Sequence, residues 1–354
     1  MKKIAIVCNS INPDLVEYFR CKIESLEKSQ YKNNFLILKN YSIDIKESSY
    51  IYDSSYSNKA FFDKKVPLDF IRSFYILYVL ITKKTKVVHF TTAHISNIFL
   101  SLLLKPFNIK QIFTIHDLVP HPDKKSVFIK MYNKFVVNFL SDEIISFSKT
   151  EILKQKHKNK FIYMTLSGFR QFIKKPKIGD KTILFFGRIE SYKGLNNLLD
   201  LIKKANDLNL EYKFIIAGKG EIEKYEEFKK HENVEIINRF IDDSEVQELF
   251  KKATFTILPY DSATQSGVTI LSYAYATPVI AYDVGALCEY IDNEKNGYIV
   301  DYKDNNKIIH TLQTITDNKV LELSNNSIDI FEIKFSKKAC QNYYINYYTK
   351  LMEN

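Results

Sequence analysis

The sequence lacks tryptophan and has few of the residues that build several common kinds of site. Its 354 residues include four cysteines, nine glycines and eight prolines. The cysteines form no C-x-x-C pair and no spacing typical of a zinc site, so a structural metal motif is not expected. We predict reduced thiols in a cytoplasmic protein, because disulfides are rare in that compartment. The cysteines in question are Cys8, Cys21, Cys288 and Cys340.

Motifs for cofactors, nucleophilic catalysis and nucleic acid are also missing. The first strand is followed by residues 8–13, CNSINP, and not by G-x-G-x-x-G, so a nicotinamide-binding first domain is not expected. Neither a P-loop nor a G-x-S-x-G nucleophile elbow is present. There is no zinc-finger spacing, RNP motif or basic zipper, and we therefore predict no nucleic-acid partner.

Long apolar runs are absent as well. The longest run, residues 70–81, is about 12 residues long and contains Arg72, which makes it too short to span a bilayer. The first residues, Met1-Lys2-Lys3, lead directly into a short strand, and this is not the pattern of a secretory signal. We expect a protein without a membrane-spanning helix.

The charge of the chain is unevenly distributed. The net charge is +10, but residues 1–175 hold 29 Lys and Arg against 14 Asp and Glu, and the remainder carries a net charge of −5. A basic first half suggests an anionic partner such as a membrane surface, although a lysine-rich solvated surface would look the same.

Strands alternate with helices through about residue 165, and the alternation restarts at residue 182 after a basic break at 167–180. This order predicts two parallel α/β domains, residues 1–166 and 181–335, joined by a linker. Ligands of such sheets bind at the carboxyl ends of the strands, here expected in a cleft between the domains. A last helix, residues 336–354, carries a tyrosine stripe that is typical of packing.

The stretch 254–285, TFTILPYDSATQSGVTILSYAYATPVIAYDVGA, is the centre of the site hypothesis. It predicts a buried strand, a polar loop at 259–265, a helix beginning at Ser266-Gly267 and a second strand at 278–282. Free N–H groups and the helix dipole favour an anion at such a helix start, which Ser266 can cap. An ordinary strand–helix turn that binds nothing has the same pattern.

Three further strand-end loops join the hypothesis. Residues 187–194, GRIESYKG, supply two cations, Arg188 and Lys193, that can grip phosphate oxygens. Residues 217–220 form a glycine turn, and His116 precedes Asp117 at the end of a strand in the first domain. Taken singly, each loop also fits a bland interpretation: surface cations, a tight turn and a structural histidine.

Together, FFGRIESYKGLNNLL, FIIAGKGE and the stretch from LPYDSATQSG to NGYIV resemble glycosyltransferase family 4, also called glycosyl transferases group 1. The resemblance covers about residues 181–302 and implies the GT-B fold. In that fold two Rossmann-like parallel-sheet domains face each other across a cleft, and the C-terminal helix crosses back to the first domain. The first domain would bind the acceptor and the second the nucleotide-sugar donor.

The resemblance implies a hexosyltransferase that uses a nucleotide-diphosphate sugar, retains anomeric configuration and needs neither metal nor another cofactor. Arg188 and Lys193 would hold the diphosphate, and His116 would lie beside the transferred sugar. The remaining donor contacts would come from two strand-end loops and the helix start. They are Gly187, Gly218, Gly220, Thr264, Gln265, Ser266, Gly267, Val268 and Ser272.

Two positions depart from the family pattern. Where many members have two glutamates eight residues apart, this chain has Thr264 and Ser272 within a Ser-Ala-Thr-Gln-Ser-Gly variant of the donor loop. Hydroxyl and amide groups bind sugar hydroxyls more weakly than carboxylates do. A catalytically inactive binding partner in a polysaccharide-assembly complex therefore stays open as an alternative, as does a sugar-nucleotide epimerase of the same fold.

The first interpretation is a glycosyltransferase that builds a surface polysaccharide or glycolipid. Its acceptor would be a glycan or a polyprenyl-diphosphate-linked sugar. The protein would be cytoplasmic and peripheral at the inner face of the cell membrane, held there by its basic first domain.

Overall fold

The computed structural model describes most of the chain and divides it into two units. Unit 1 comprises Met1–Thr165 together with Lys337–Asn354, and unit 2 comprises Leu166–Ser336. Residues 9–12, which follow the first strand without a glycine-rich motif, and residues 169–172 of the predicted linker lie outside the described residues. The described residues are 3–8, 13–28, 35–37, 49–51, 66–118, 126–168, 173, 175–222 and 225–353.

Unit 1 is built on one parallel sheet with the strand order β3-β2-β1-β4-β5-β6-β7. Every pair of neighbouring strands in this sheet is parallel. Most positions of the central strands are buried, as expected for a sheet that is covered on both faces. The strands are β1 Lys3–Cys8, β2 Phe35–Ile37, β3 Ser49–Ile51, β4 Thr85–Phe90, β5 Lys110–Ile115, β6 Glu143–Ser146 and β7 Phe161–Tyr163.

The helices of unit 1 are α1 Pro13–Lys28, α2 Val66–Thr82, α3 Ile95–Leu104, α4 Ser126–Phe135, α5 Lys149–Leu153 and α12 Lys337–Glu353. Buried residues of α2, α3 and α4 belong to one hydrophobic core with the sheet. The sequence predicts one helix over residues 126–140, whereas the structure ends α4 at Phe135 and continues from Val136 to Leu140 as a wider π-helical turn. Helix α12 packs against α1, where Lys337 Nζ lies 2.8 Å from a carboxylate oxygen of Glu24.

Unit 2 has a six-stranded sheet in the order β10-β9-β8-β11-β12-β13, and its neighbouring strands are again parallel. All six residues of the strand Ala253–Leu258 are buried, which confirms the central strand predicted at 254–258. The strands are β8 Thr182–Phe186, β9 Lys213–Ala217, β10 Val234–Ile237, β11 Ala253–Leu258, β12 Val279–Tyr282 and β13 Gly297–Val300.

The helices of unit 2 are α6 Leu195–Asp207, α7 Tyr225–Lys229, α8 Asp243–Lys252, α9 Gly267–Ala274, α10 Asn305–Thr314 and α11 Asp317–Ile330. Residues 244–247, SEVQ, have the sequence of a capping box that begins at Ser244, but this prediction is wrong. The cap is Asp242, whose backbone N–H donates to the Glu245 carboxylate at 3.3 Å. Glu245 occupies the third helical position, so the capping box begins two residues earlier than predicted.

Parallel order decides where a site can form in unit 2. Since all strands run the same way, the loops after β8, β9 and β11 leave the sheet at the same edge. These loops contain the segments 187–194, 218–220 and 259–266. Across the described ranges of both units, no helix has the length and apolar character needed to cross a membrane.

Candidate functional site

The loop between β8 and α6 holds two cations in opposite environments. Arg188 has a side chain that is 78% exposed, and its Nη1 lies 2.9 Å from Glu190 Oε1. Lys193, by contrast, is only 7% exposed. The sequence predicted both as phosphate ligands without distinguishing them. The structure places Arg188 on the surface and Lys193 beneath it.

The buried position of Lys193 follows from the way its loop is fastened to the loop after β11. Gly194 adopts φ +69°, and a Cβ there would collide with the carbonyl oxygen of Pro259. The side chain of Asn197 donates to the same carbonyl at 2.9 Å and to Asp261 Oδ1 at 3.0 Å. Only glycine tolerates this combination of left-handed backbone and close approach.

Three of the predicted residues meet at Gly187. A Cβ built on Gly187 would lie 3.1 Å from Lys193 Nζ and 3.3 Å from Val268 Cγ2. The backbone there has φ +107°, which also favours glycine. The absence of a side chain therefore leaves a small space between the ammonium group and the first turn of α9, and we call this space the Gly187 recess.

Burial alters the acid–base behaviour of the recess. It lowers the pKa of Lys193 to about 8, while Glu190 opposes and Arg188 adds to this shift. The Lys193 Nζ lies 5.6 Å from the ring centre of Tyr260, which is itself buried. Burial raises the pKa of the Tyr260 hydroxyl, so this group stays neutral. The ammonium is held on an aromatic face and lacks much of its hydration.

The start of α9 is capped and open to the outside. Ser266 is the N-cap, and its hydroxyl accepts a hydrogen bond from the Thr269 N–H at 3.2 Å. Gly267 is exposed, and a Cβ there would find nothing within 4 Å. The N-terminus of α9 is therefore open on the side of Gly267, where the helix dipole favours an anion.

Thr264 and Gln265 are partly exposed at the end of the loop before α9. A hydrogen bond holds the backbone of this loop at Ala263, whose carbonyl accepts from the Ala286 N–H at 3.2 Å. A Cβ on Gly285 would collide with that carbonyl. The two polar side chains thus stand on a loop whose backbone is held at both ends.

Ser272 lies elsewhere in its helix. It is fully buried, and its hydroxyl donates to the Val268 carbonyl at 2.7 Å and lies 2.9 Å from Thr256 Oγ1, within hydrogen-bond distance. Thr256 is fully buried in β11, and Val268 lies one turn earlier in the same helix. The structure places this predicted donor residue between α9 and β11, and not at the open end of the helix.

Gly218 and Gly220 support the loop that contains Gly187. A Cβ on Gly218 would collide with the Gly187 carbonyl, and one on Gly220 would collide with the Ile189 carbonyl. The Ile189 N–H also donates to the Lys219 carbonyl at 3.0 Å. The need for glycine at these two positions is explained by backbone packing alone.

His116 lies in unit 1, at the end of β5. Its ring packs edge-on to Tyr18 at 5.7 Å and tilted against Phe147 at 5.0 Å. Burial lowers the pKa of His116 to about 3, nearby Lys22 adds to this shift, and a hydrogen bond with the Thr91 backbone opposes it. The Nε2 atom is buried and has no hydrogen-bond partner among the described residues. His116 is a neutral imidazole at physiological pH.

Sequence reasoning missed two residues that shape the site. Tyr260 falls in a run predicted to be a polar loop, yet it is buried under the Lys193 ammonium. Asn197 lies inside α6 and looks like an ordinary polar helix residue, although it joins the two loops. The position of Tyr260 directly after a buried strand and Pro259 was the one available indication.

Comparisons with known proteins agree with this architecture. Residues 180–318, within unit 2, match the family model described as Glycosyl transferases group 1. An uncharacterized 41.2 kDa protein in the cps region of Klebsiella pneumoniae is 26% identical over 306 residues, which cover 78% of this chain and 84% of that protein. An uncharacterized glycosyltransferase of Methanocaldococcus jannaschii is 27% identical over 249 residues, 68% of each chain.

Solved structures show the fold. Sucrose-phosphate synthase of Thermosynechococcus elongatus superposes with a TM-score of 0.71 at 16% identity and full coverage of both chains. Anabaena HepE, solved in complex with UDP-glucose, gives a TM-score of 0.69 at 11% identity, with 99% of this chain and 100% of that chain covered. The chain has the GT-B fold with two Rossmann-like units, and the comparisons support a glycosyltransferase.

Proposed function

We propose that this chain is a retaining glycosyltransferase that moves a sugar from a nucleotide-diphosphate sugar to a glycan or lipid-linked acceptor, with the donor diphosphate bound in unit 2. The observation that carries the proposal is the Gly187 recess. It combines a dehydrated ammonium, a glycine with no side chain and the open N-terminus of α9.

The recess suits an anion that gains charge during a reaction. When the bond between the sugar C1 and the diphosphate oxygen breaks, negative charge accumulates on the leaving diphosphate. Lys193 and the N-terminus of α9 stabilise that charge from fixed positions, and such preorganised contacts are the usual source of large rate effects. Arg188, exposed on the same loop, adds a second cation. These groups supply the stabilisation that a metal ion provides in other transferases.

The proposed chemistry retains configuration at C1. The acceptor oxygen bonds to C1 on the face from which the diphosphate departs, and the acceptor proton passes to an oxygen of the departing phosphate. No general base of the protein is required. Thr264 and Gln265 are proposed to bind hydroxyl groups of the sugar, and the role of His116 beside the transferred sugar stays a prediction.

Several parts of the proposal rest on less direct support. The nucleotide donor is supported by the structural likeness to HepE, which was solved with UDP-glucose. A role in polysaccharide or glycolipid synthesis is supported by the relative in the Klebsiella pneumoniae cps region. Cytoplasmic location and attachment to the inner face of a membrane are proposed from the basic first half and from the four cysteines, which form no disulfide.

The two alternatives gain no support from the described residues. An inactive binding protein would have no use for a buried ammonium beside an open helix start, because burying that charge costs stability. An epimerase would need titratable groups poised for elimination. The one histidine among the predicted site residues is held neutral by burial.

The test is binding of UDP, GDP, ADP and their common sugars, measured by thermal shift on wild type, Arg188→Ala and Lys193→Ala. Lys181→Ala is the matched control, because Lys181 is an exposed cation of the same unit that pairs with Glu211. We expect one nucleotide series to stabilise wild type and the control, and both site variants to lose the shift. Equal shifts in all four proteins would refute the assignment.

A further inference from the structure

Helix α2 in unit 1 exposes an apolar stripe along its whole length. Its inner positions, including Ile76 and Leu80, are buried in the core. The outer stripe is between 40% and 69% exposed, although a water-facing helix surface is normally polar. The stripe consists of Leu68, Ile71, Phe74, Tyr75, Tyr78 and Ile81.

Helix α4 and the turn after it show the same feature. Large apolar side chains recur every four residues on the outer side, with exposures between 36% and 66%. Inner residues such as Tyr132 and Val136 are buried in the same core as Ile76 of α2. The exposed residues are Val127, Phe128, Met131, Phe135 and Phe139.

The two stripes belong to one layer of helices on one side of the sheet. Helix α3 packs against α2, and Phe99 of α3 contacts Phe70 and Phe74 of α2 at ring-centre distances of 4.7 and 5.6 Å. Helix α3 also contacts the turn Val136–Leu140 that follows α4. We call this outer surface of α2, α3 and α4 the α2–α4 face.

The charge around the face is predominantly positive. Residues 66–116 contain six Lys and Arg against one acidic residue, Asp69 of α2, and residues 124–141 contain four Lys and no Asp or Glu. Lys130 and Lys134 are exposed within the α4 segment, and Lys84 and Lys86 are exposed just after α2. An apolar surface that is rimmed by an excess of cations matches an anionic, partly apolar partner.

We propose that the α2–α4 face docks on the surface of an anionic lipid bilayer. Helix α2 would lie in the interface with its aromatic and aliphatic stripe among the upper acyl chains, while the lysines contact lipid head groups. A symmetric dimer through this face would instead place lysines opposite lysines, with Asp69 of each copy as the one carboxylate of α2, α3 and α4 to offset them. The charge pattern therefore favours lipid over a second copy of the chain.

This inference rests on unit 1 alone and does not depend on the proposed transferase activity. Its test measures lipid contact without a donor or acceptor, and the nucleotide test described for unit 2 needs no lipid. Either proposal can therefore fail while the other stands.

The absence of tryptophan makes a direct test available. Tyr78→Trp and Phe139→Trp each place a single tryptophan on the face, and Phe240→Trp places one at a 74% exposed aromatic position of unit 2 as the matched control. With phosphatidylcholine vesicles containing phosphatidylglycerol, we expect the emission of the first two variants to shift to shorter wavelength and to be quenched by brominated acyl chains. The control should do neither.

A second measurement separates the electrostatic from the apolar contribution. Co-sedimentation with the same vesicles should weaken roughly fivefold for each lysine removed in Lys130→Gln and Lys134→Gln, which is about 1 kcal/mol per contact. Lys229→Gln and Lys251→Gln, which remove exposed cations of unit 2, should leave binding unchanged. Replacement of Ile71 and Tyr78 by serine should lower binding even at low salt.

Two results would overturn the proposal. One is unchanged emission of both face tryptophans in the presence of anionic vesicles. The other is a blue shift that occurs without lipid and follows protein concentration together with a dimeric mass in light scattering, because this would identify a second copy of the chain as the occupant.

Discussion

The ammonium of Lys193 lies 5.6 Å from the ring centre of Tyr260, and both side chains are more than nine-tenths buried. A lysine in this setting loses its proton more easily than an exposed one, because its environment replaces little of the lost hydration. An anion bound in the Gly187 recess would stabilise the charged form of Lys193. The pair therefore links ligand binding in unit 2 to the protonation of a single group.

We predict that nucleoside diphosphate affinity falls as pH rises above about 8, the pKa of Lys193 in the ligand-free protein. The ammonium is present below that pKa and is lost above it, so affinity should decline by up to about tenfold per pH unit. Isothermal titration calorimetry across neutral and alkaline pH measures this decline. The Lys193→Arg variant keeps a positive charge at this position over the whole pH range, so its affinity should not change with pH.

The stability of the ligand-free protein should respond to pH in the opposite direction. The folded pKa of Lys193 is lowered from 10.5, so the unfolded chain binds more protons between about pH 8 and 10.5 and this lysine makes stability rise with pH there. The contribution should vanish in Lys193→Met. If affinity and this contribution moved together with pH, Lys193 would not be the titrating group.

Alanine at two glycines of the site should weaken nucleotide binding in both cases but lower stability at only one of them. Gly187→Ala places a methyl group 3.1 Å from Lys193 Nζ at a φ of +107°, so we expect loss of nucleotide binding together with a destabilisation of about 1–2 kcal/mol. Gly267→Ala meets nothing within 4 Å, and its melting temperature should stay near that of wild type. Thermal shift with and without nucleotide measures both effects.

Nucleotide affinity of Gly267→Ala is the decisive quantity. The added methyl group stands at the open end of α9, where the proposal places phosphate oxygens, so affinity should fall although the fold is intact. Unchanged affinity in this variant would move the diphosphate away from the helix start.

How far the sequence predicts this site is seen in its two cations. The residue types and the strand-end position of the loop indicated an anion site, and both features follow from local pattern. The sequence could not show that Arg188 is exposed while Lys193 is buried, because that difference arises from Gly194 closing on the Pro259 carbonyl 65 residues away. Burial set by a distant backbone contact has no local signature.

Ser272 illustrates a second limit. It was assigned to the donor site by its spacing of eight residues from Thr264, a spacing that was carried over from the family pattern. In the structure its side chain lies on the inner side of α9, four residues after Val268, whose carbonyl accepts its hydrogen bond. The fold itself was easier to predict, because alternating buried strands and amphipathic helices determine a parallel sheet without knowledge of any single contact.

We predict that Ser272→Ala lowers the free energy of unfolding by about 1 kcal/mol and leaves nucleotide affinity unchanged, because its hydroxyl bonds only within unit 2. Thr256→Val removes the partner hydroxyl, and the double variant should cost less than the sum of the single ones. Urea unfolding of wild type, the two single variants and the double variant measures this coupling. A loss of nucleotide binding by Ser272→Ala at wild-type stability would restore the residue to the donor site.

The last prediction concerns His116 in unit 1. Burial lowers its pKa from 6.5 to about 3, so below pH 6.5 the unfolded chain takes up a proton that the folded protein does not. Stability should therefore fall with decreasing pH between these values, by up to about 1.4 kcal/mol per pH unit for this group. Urea unfolding at several pH values measures the slope.

His116→Asn should make that slope shallower, because asparagine binds no proton. The substitution should not abolish the slope, because burial also lowers the pKa of His89. The ring nitrogens of His89 contact Tyr348 and Thr114 at 2.6 and 2.8 Å. If His116→Asn kept the full wild-type slope, His116 would be protonated in the folded protein, and a neutral imidazole could not be its working form.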